Sequence, residues 1–320
     1  MKDIESRIHE TDQDSGYFIV ADKVWGKKDK FVNYYMVQSF ANDDWFLVDG
    51  GLKWSSSNII EMAADLFGAG HLPKGIFLTH GHFDHSGSLP ELLHHWDVPV
   101  YAHELELPYL TNQSAYPPAD PEVGGGIMSA LSFMFPQGPI NISSNVRKLP
   151  GDGSIPGFSE WRYINTPGHS PGHVSLFREH DSVLLAGDAF LTTKAESAYH
   201  AFTYKESVSG PPKYFTYDWG LAKESVEKLC ALSPSVAATG HGNPITSPQL
   251  AFELNNLLNN FDVIAVPEFG RYVNEPAIVN KFGLASCPQR TGLMPIIKKV
   301  VAYSSLLLSA CVIAYRWKRS

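Results

Sequence analysis

Short apolar runs separated by polar turns dominate the start of the chain. Aromatic and β-branched side chains concentrate in three such runs, which is typical of consecutive antiparallel strands: residues 17–24, 34–40 and 45–48. Residues 57–67 then carry apolar side chains at helical spacing, with Gly68 at the end. This spacing predicts an amphipathic helix that packs on the sheet.

The rest of the chain alternates strand-like and helix-like segments. Strands are predicted at residues 75–78, 99–101, 145–149, 161–165, 173–178, 182–186 and 235–239. Helices are predicted at residues 86–96, 221–232 and 247–259. Because an antiparallel start is followed by strands that alternate with helices, we expect a mixed sheet covered by helices.

Two long segments interrupt this alternation. Residues 111–145 are rich in proline, glycine and asparagine around an apolar island at 127–135, and residues 189–218 form a second long connection. Loops of this length inside compact domains are usually functional or disordered. We predict that both are lids beside the functional site, and that the first supplies apolar substrate contacts from Met128, Leu131, Phe133 and Met134. The alternative is a packed surface elaboration.

The carboxyl end differs in kind. Residues 266–292 have no periodic pattern and predict an irregular tail or linker, whereas residues 300–315 are sixteen positions without a charge, flanked by basic residues. As a helix they would span about 24 Å, less than a hydrocarbon core of about 30 Å. Residues 293–320 therefore have two interpretations, a membrane anchor or a terminal apolar helix packed on the domain or on a partner.

Charge and cysteine usage narrow the class of protein. A net charge of −8 over 320 residues argues against a nucleic-acid partner. Cys230, Cys287 and Cys311 are scattered and odd in number, which indicates no disulfide framework. The first residues lack the apolar run of a secretory signal. We expect a cytoplasmic protein that is membrane-associated, if at all, through its carboxyl end.

Candidate metal ligands are most concentrated in residues 79–87, THGHFDHSG, directly after a predicted buried strand. Side chains two apart in an extended segment project to the same side, so His80 and His82 can bind one metal ion. Asp84 and His85 follow where the chain turns into a helix, and can reach a second ion nearby. Imidazole and carboxylate ligands suit zinc, iron or manganese.

Further ligands are predicted at the ends of three other strands. His169, Asp188 and His241 each follow a strand-like run and each stands next to glycine. A rigid sheet can present a side chain at such a position while the loop backbone bends. His173 lies in the same motif as His169 but begins a strand, and we interpret it as a supporting residue and not as a ligand.

These motifs, THGHFDHSG, TPGHSPGH, LLAGDAF and TGHGN, together with LVDGG at 47–51, resemble the metallo-β-lactamase-fold hydrolase superfamily over residues 17–245. The resemblance implies an α/β (α+β) fold, a four-layer αβ/βα sandwich of two mixed β-sheets flanked by helices, with residues 1–265 as the catalytic domain. It also implies that Asp49 supports the metal loop through hydrogen bonds.

The resemblance further implies a glyoxalase II-like set of seven ligands for two zinc ions per chain, with iron or manganese as alternatives. The first ion would be bound by His80, His82 and His169, the second by Asp84, His85 and His241, with Asp188 bridging. Such a centre holds a hydroxide between its ions. We expect this hydroxide, oriented by Asp84, to attack the carbonyl of a small-molecule ester, thioester or lactone.

Other members of the superfamily fit less well. The zinc β-lactamases lack an aspartate at the position of Asp188, and the diiron flavoproteins usually carry glutamate in place of His82. Lactonases of this fold carry a tyrosine shortly after the bridging aspartate, where this chain has Phe190, Leu191 and Thr192. The main alternative is an oxidoreductase that resembles persulfide dioxygenases, with one iron bound by His80, His169 and Asp188.

Overall fold

Two mixed β-sheets lie at the centre of the computed structural model, which describes residues 16–203 and 205–289. The first sheet has seven strands in chain order: β1 (Phe18–Ala21), β2 (Val24–Asp29), β3 (Val32–Gln38), β4 (Trp45–Val48), β5 (Ile76–Phe77), β6 (Val100–Ala102) and β7 (Val146–Lys148). Strands β1 to β4 pair antiparallel, and β4 to β7 pair parallel.

The second sheet has five strands in the order β12-β11-β10-β9-β8. Their bounds are β8 (Trp161–Asn165), β9 (Val174–Arg178), β10 (Val183–Gly187), β11 (Val236–Thr239) and β12 (Ile245–Thr246). Only β10 and β11 pair parallel, and the other neighbours are antiparallel. Both sheets are therefore mixed, as the sequence predicts.

Helices cover the outer face of each sheet. The α-helices are α1 (Ser56–Phe67), α2 (Phe83–Ser86), α3 (Leu89–Trp96), α4 (Leu107–Leu110), α5 (Ile127–Ala130), α6 (Ala198–Thr203), α7 (Trp219–Ala231), α8 (Gln249–Asn259) and α9 (Phe261–Ile264), with 3-10 turns at Pro121–Val123 and Ser132–Met134. Apolar residues of α1 and α3 pack on the first sheet. Those of α7 and α8 pack on the second.

Alternation along the strands builds the layers. In β4, Phe46 and Val48 point into the layer between the sheets, whereas Trp45 and Leu47 point out toward α1 and α3. Successive strand residues face opposite sides, so one buried strand contributes to two apolar layers. The four-layer αβ/βα sandwich predicted from the sequence is confirmed.

The main differences from the predicted elements lie at polar or irregular positions. Residues 17–24, predicted as one strand, contain all of β1 and the first residue of β2, and the chain turns at Lys23, which has a φ of 58°. Strand β2 has no period-two apolar pattern because its second half, Lys27 to Asp29, is charged and half-buried. Tertiary pairing with β3 decides its conformation.

The segment 266–292, predicted to be an irregular tail, is structured in its described part. It contains a hairpin of β13 (Ile278–Asn280) and β14 (Gly283–Ser286). The N–H of Ala277 donates to the carbonyl of Tyr217 at 3.2 Å, and the hydroxyl of Tyr272 donates to the carbonyl of Pro118 at 2.7 Å. This segment packs on the domain as a tail, and its residues 278–286 are regular where an irregular tail or linker was predicted.

The terminal segment 293–320, with its alternatives of anchor or packed helix, lies outside the described residues. Within residues 16–203 and 205–289, no helix is long and apolar enough to cross a membrane.

We predict that Phe46→Ala lowers the free energy of unfolding by about 3–5 kcal/mol, because it leaves a cavity between the sheets. Phe46 is fully buried, with its ring 4.5 Å from that of Phe158 and 4.9 Å from that of Phe77. Denaturant titration measures the change. The control is Phe252→Ala on α8, where the ring is 72% exposed and the expected change is within about 0.5 kcal/mol. Equal effects of the two substitutions would contradict this account of the core.

Candidate metal centre

Histidine and aspartate side chains from four separate segments of the chain meet beyond the ends of strands β5, β8, β10 and β11. They form three overlapping groups whose ligand atoms lie within 4.8 Å of one another: His80, His82 and His169; His80, His85 and Asp188; and Asp84, His85 and His241. All of these residues are buried. The structure thus brings together all seven ligands predicted from the sequence. Below, His80, His82 and His169 are the first trio, and Asp84, His85 and His241 are the second trio.

The first trio places three ring nitrogens in one small space. Nε2 of His169 lies 2.9 Å from Nδ1 of His82 and 3.1 Å from Nε2 of His80. A ring nitrogen either donates or accepts, so His169 can make only one of these contacts as a hydrogen bond. A tetrahedral zinc with bonds of about 2.0–2.1 Å holds its ligand nitrogens about 3.3–3.4 Å apart. The observed spacing is close to that required by one shared cation.

Asp188 links the first trio to the second. Its Oδ2 lies 3.4 Å from Nε2 of His169 and 3.3 Å from Nε2 of His241, and its Oδ1 lies 3.6 Å from Nε2 of His85. Asp84 completes the second trio, with Oδ2 at 3.5 Å from Nε2 of His241. One carboxylate therefore reaches both trios, which is the placement required of a bridging ligand.

Asp49 fixes the orientation of two of these histidines from behind. Its carboxylate accepts the N–H and the hydroxyl of Thr79, both at 2.8 Å, and the Nδ1–H of His85 at 2.8 Å. Because the hydroxyl of Thr79 donates to Asp49, its oxygen is left to accept the Nδ1–H of His80 at 3.0 Å. The protons of His80 and His85 are thereby held on Nδ1, and the Nε2 lone pairs face the centre.

His241 is oriented in the same manner by the backbone. Its Nδ1–H donates to the carbonyl of Phe31 at 2.6 Å, which leaves Nε2 free for a metal. His173 differs, because its Nε2 accepts the N–H of Asp188 at 2.9 Å and its Nδ1 lies 2.8 Å from the hydroxyl of Thr166. Both nitrogens of His173 are occupied, so it positions Asp188 and has none left for a ligand bond.

Burial keeps the first trio uncharged. It is the largest cause that lowers the pKa of His80 and His169 well below the ordinary value, and neighbouring imidazoles lower the pKa further. Burial, followed by the charge of His85, lowers the pKa of His82 to about 3. Neutral imidazole is the form that binds metals, so the trio offers lone pairs at neutral pH.

Around the second trio, the charge of Asp188 outweighs the effect of burial on the pKa of a neighbouring imidazole. Burial alone would raise its pKa, but the imidazoles of His241 and His85 hold the pKa of Asp188 well below its ordinary value. Burial likewise opposes protonation of His85, yet Asp188 and then Asp49 raise the pKa of His85 well above its usual range. Positive charge is therefore stabilised beside Asp188, whether on an imidazole or on a metal ion.

Two buried atoms at the centre fit a metal better than they fit the protein alone. Nε2 of His85 and Oδ1 of Asp188 have no hydrogen-bond partner among the described residues. Buried polar atoms are normally paired, and these two lie 3.6 Å from each other, beyond hydrogen-bond distance. Imidazole nitrogens with carboxylate oxygens are the donor set expected for zinc, iron or manganese.

Gly240 makes the close approach of Asp188 and His85 sterically feasible. A Cβ added at this position would overlap Oδ1 of Asp188 and would lie 2.7 Å from Cε1 of His85. The loop that carries His241 therefore passes directly over the middle of the centre. Any side chain at 240 would displace Asp188 or His85.

The two predicted lids meet beside the centre. The N–H of Met128 donates to the carbonyl of Glu196 at 3.1 Å, which joins the first segment to the second. The ring of Phe215 stacks on His82 at 4.6 Å, and that of Phe135 stacks on Phe83 at 5.6 Å. Large apolar side chains of both segments are exposed: Ile127, Leu131, Phe133, Met134, Tyr199 and Phe202. Of the four predicted substrate contacts, Leu131, Phe133 and Met134 are exposed. Only Met128 is partly buried, and it packs against a cluster of buried side chains that includes Phe215.

Sequence reasoning missed some of the residues behind the centre. Phe31 acts through its backbone carbonyl, which has no sequence signature. Glu106 is fully buried and accepts hydrogen bonds from both histidine loops. Its sequence signal is weak but present, since an acidic residue stands between two leucines shortly after a predicted strand.

Comparison with known proteins shows the family to which the chain belongs. The family model described as the Metallo-beta-lactamase superfamily matches residues 28–241, and the chain belongs to this superfamily. It is 44% identical over 248 residues to "Probable metallo-hydrolase YflN" of Bacillus subtilis (strain 168), a match that covers 77% of this chain and 94% of the relative. It is 29% identical over 203 residues to "Probable metallo-hydrolase YybB" of the same organism, a match that covers 63% of this chain and 78% of the relative.

Solved structures share the fold at lower sequence identity. One is the metallo-beta-lactamase family protein TTHA1429 from Thermus thermophilus, with a TM-score of 0.52, 22% identity, and 76% of this chain and 81% of that chain covered. Another is a beta-lactamase domain protein from Burkholderia ambifaria, with a TM-score of 0.53 and 20% identity. The match covers 78% of this chain and 77% of that chain. At this identity the likeness concerns the fold alone.

We predict that Gly240→Ala weakens metal binding at least about tenfold, as expected when the geometry around metal ligands is disturbed. The added methyl group would overlap Oδ1 of Asp188. Metal retained after dialysis against a weak chelator measures the effect. The matched control is Gly138→Ala, where an added Cβ meets no heavy atom within 4 Å. Equal metal retention by both variants would show that the close approach at Gly240 does not matter.

Proposed function

We propose that the protein is a hydrolase with two metal ions, zinc by preference, that cleaves an ester, thioester or lactone bond of a small-molecule substrate. The observation that carries this proposal is the convergence of two trios on Asp188. The outer N–H groups of His80, His85 and His241 are held by fixed acceptors. The names of the relatives YflN and YybB, both "probable metallo-hydrolase", support the same class.

A pair of bound cations would lower the pKa of a shared water and polarise the carbonyl of the substrate. The protein would hold the reacting groups in place. Asp188 would fix the spacing of the two sites, because its oxygens face both trios. Asp84, at 3.5 Å from Nε2 of His241, would ligate the second ion and orient the water by accepting its hydrogen bond.

The lids would supply substrate binding and exclude bulk water. Phe83, Phe135 and Phe215 form an aromatic wall that continues from the ring of His82. The exposed apolar residues of both lids extend this surface outward. Such a mouth favours substrates with an uncharged apolar group next to the scissile carbonyl, since burial of apolar surface contributes roughly 25 cal/mol per Å².

The oxidoreductase alternative uses fewer of the residues in the centre. One iron bound by His80, His169 and Asp188 leaves the second trio without a role. Yet His85 and His241 are each oriented from behind, by Asp49 and by the carbonyl of Phe31. This orientation of the second trio favours two ions, and with them hydrolysis.

We expect Asp188→Ala to lose the shared ligand, so that metal content falls and turnover drops about 100-fold or more. Mass spectrometry of the purified protein counts the metal, and a panel of aryl esters, thioesters and lactones measures turnover. Asp43→Ala, at an exposed position, is the control and should match the wild type. Two bound ions and full turnover in Asp188→Ala would refute the bridging role.

The wild-type protein distinguishes the two enzyme classes directly. Two zinc ions per chain with turnover of one member of the panel is the expected result. One iron per chain, with oxygen consumed in the presence of a persulfide, would overturn the hydrolase in favour of the oxidoreductase.

A further inference from the structure

Glu106 is a fully buried carboxylate that touches two of the ligand loops at once. It directly precedes α4, and its carboxylate accepts hydrogen bonds from donors in other parts of the chain. Its Oε2 accepts the N–H of Gly81 at 3.0 Å and the hydroxyl of Tyr116. Its Oε1 accepts the hydroxyl of Ser170 at 2.9 Å and the N–H of Gly172 at 2.6 Å.

The positions of these donors connect Glu106 to every member of the first trio. Gly81 stands between His80 and His82, and Ser170 directly follows His169. One oxygen of the carboxylate binds the loop of residues 80–82, and the other binds the loop of residues 169–172. Because these loops are distant in sequence, the carboxylate is a direct link that fixes one relative to the other.

The two glycines leave room for this link. A Cβ at Gly81 would lie 2.5 Å from the hydroxyl oxygen of Tyr116, and a Cβ at Gly172 would lie 2.9 Å from Cγ of Glu106. Tyr116 is itself held by ring stacking on Tyr109, with centroids 3.9 Å apart and planes 20° apart. Its ring also lies 4.5 Å from that of His82. The carboxylate thus occupies a closely fitted space behind the first trio.

The chemistry of the donors fits a carboxylate better than an amide at this position. Four N–H or O–H groups converge on two oxygens, and a carboxylate can accept all of them. Glutamine has a single oxygen, and its amide NH₂ would face a backbone N–H at Gly81 or at Gly172. One buried donor would then remain unpaired, and such a group is costly in a protein interior.

We propose that Glu106 is the positioning residue that sets the geometry of the first trio, and so the affinity of the first metal site. It touches neither substrate nor metal and acts through the backbone of the two loops. The inference rests on the metal centre proposed above, but it does not depend on which bond the enzyme cleaves.

The test is stepwise zinc binding to full-length protein in competition with a chromophoric chelator. The constant that weakens in His82→Ala identifies the first ion. We expect Glu106→Gln to weaken that constant about 10- to 100-fold, the usual effect of losing a residue that orients metal ligands. The constant of the second ion should stay within about twofold, because Asp49 and Phe31, which orient His85 and His241, are unchanged.

Glu104→Gln is the matched control. Glu104 lies two residues earlier, is exposed and pairs with Lys148, so its substitution should leave both constants unchanged. If Glu106→Gln weakens the binding constants of both ions equally, the result would indicate a general loss of structure and would overturn the positioning role. An unchanged first constant in Glu106→Gln would also overturn it.

Ser170→Ala keeps the test decisive if Glu106→Gln does not fold. It removes a single donor to Oε1 and leaves the carboxylate and both backbone bonds in place. We expect the first constant to weaken roughly three- to tenfold, in line with the loss of one hydrogen bond to a charged group. An unchanged first constant in folded Ser170→Ala would overturn the proposal. If these affinities shift as expected but no substrate of the panel is cleaved, the proposed hydrolase function is refuted and the positioning role of Glu106 is supported.

Discussion

The central constraint on the structure is the close approach of histidine ring nitrogens in a buried space. Nε2 of His169 lies near ring nitrogens of both His80 and His82, and it can satisfy only one of them by a hydrogen bond. The opposite ring nitrogens of His80 and His85 are tied to Thr79 and Asp49, so these imidazoles cannot exchange tautomers without losing a bond. A shared cation would make all of these contacts favourable, and the proposed chemistry follows from that constraint.

The fold supplies the rigidity that this constraint requires. Each ligand follows a strand of one of the two packed sheets, and the apolar layer between the sheets holds the strand ends at fixed separations. Asp49 at the end of β4 and Asp188 beyond β10 bring the two sheets to the same centre. Glu106 ties together two loops of the same centre. Helices and lids around the site contribute burial, which keeps the imidazoles of the first trio neutral, whereas the charge of Asp188 outweighs burial at His85.

Local pattern predicted a mixed sheet covered by helices and the seven candidate residues that converge, and the four-layer arrangement was implied by the family resemblance. Strands such as β4 and β10 are apolar throughout, and the motif residues stand beside glycine at their ends, so both signals are local. The charged strand β2, the packed hairpin near the carboxyl end and the role of Glu106 were not predictable. Each depends on a partner distant in sequence, such as Tyr217 for Ala277 or Gly172 for Glu106. A backbone acceptor such as the carbonyl of Phe31 leaves no trace in residue identity.

Anomalous scattering from crystals of the metal-loaded protein, collected at the absorption edge of the bound metal, tests the central claim most directly. We expect two peaks, one within the first trio and one within the second, with Asp188 between them and a separation of about 3.5–4 Å. A single peak bound by His80, His169 and Asp188, or no peak at the convergence of the seven side chains, would contradict it.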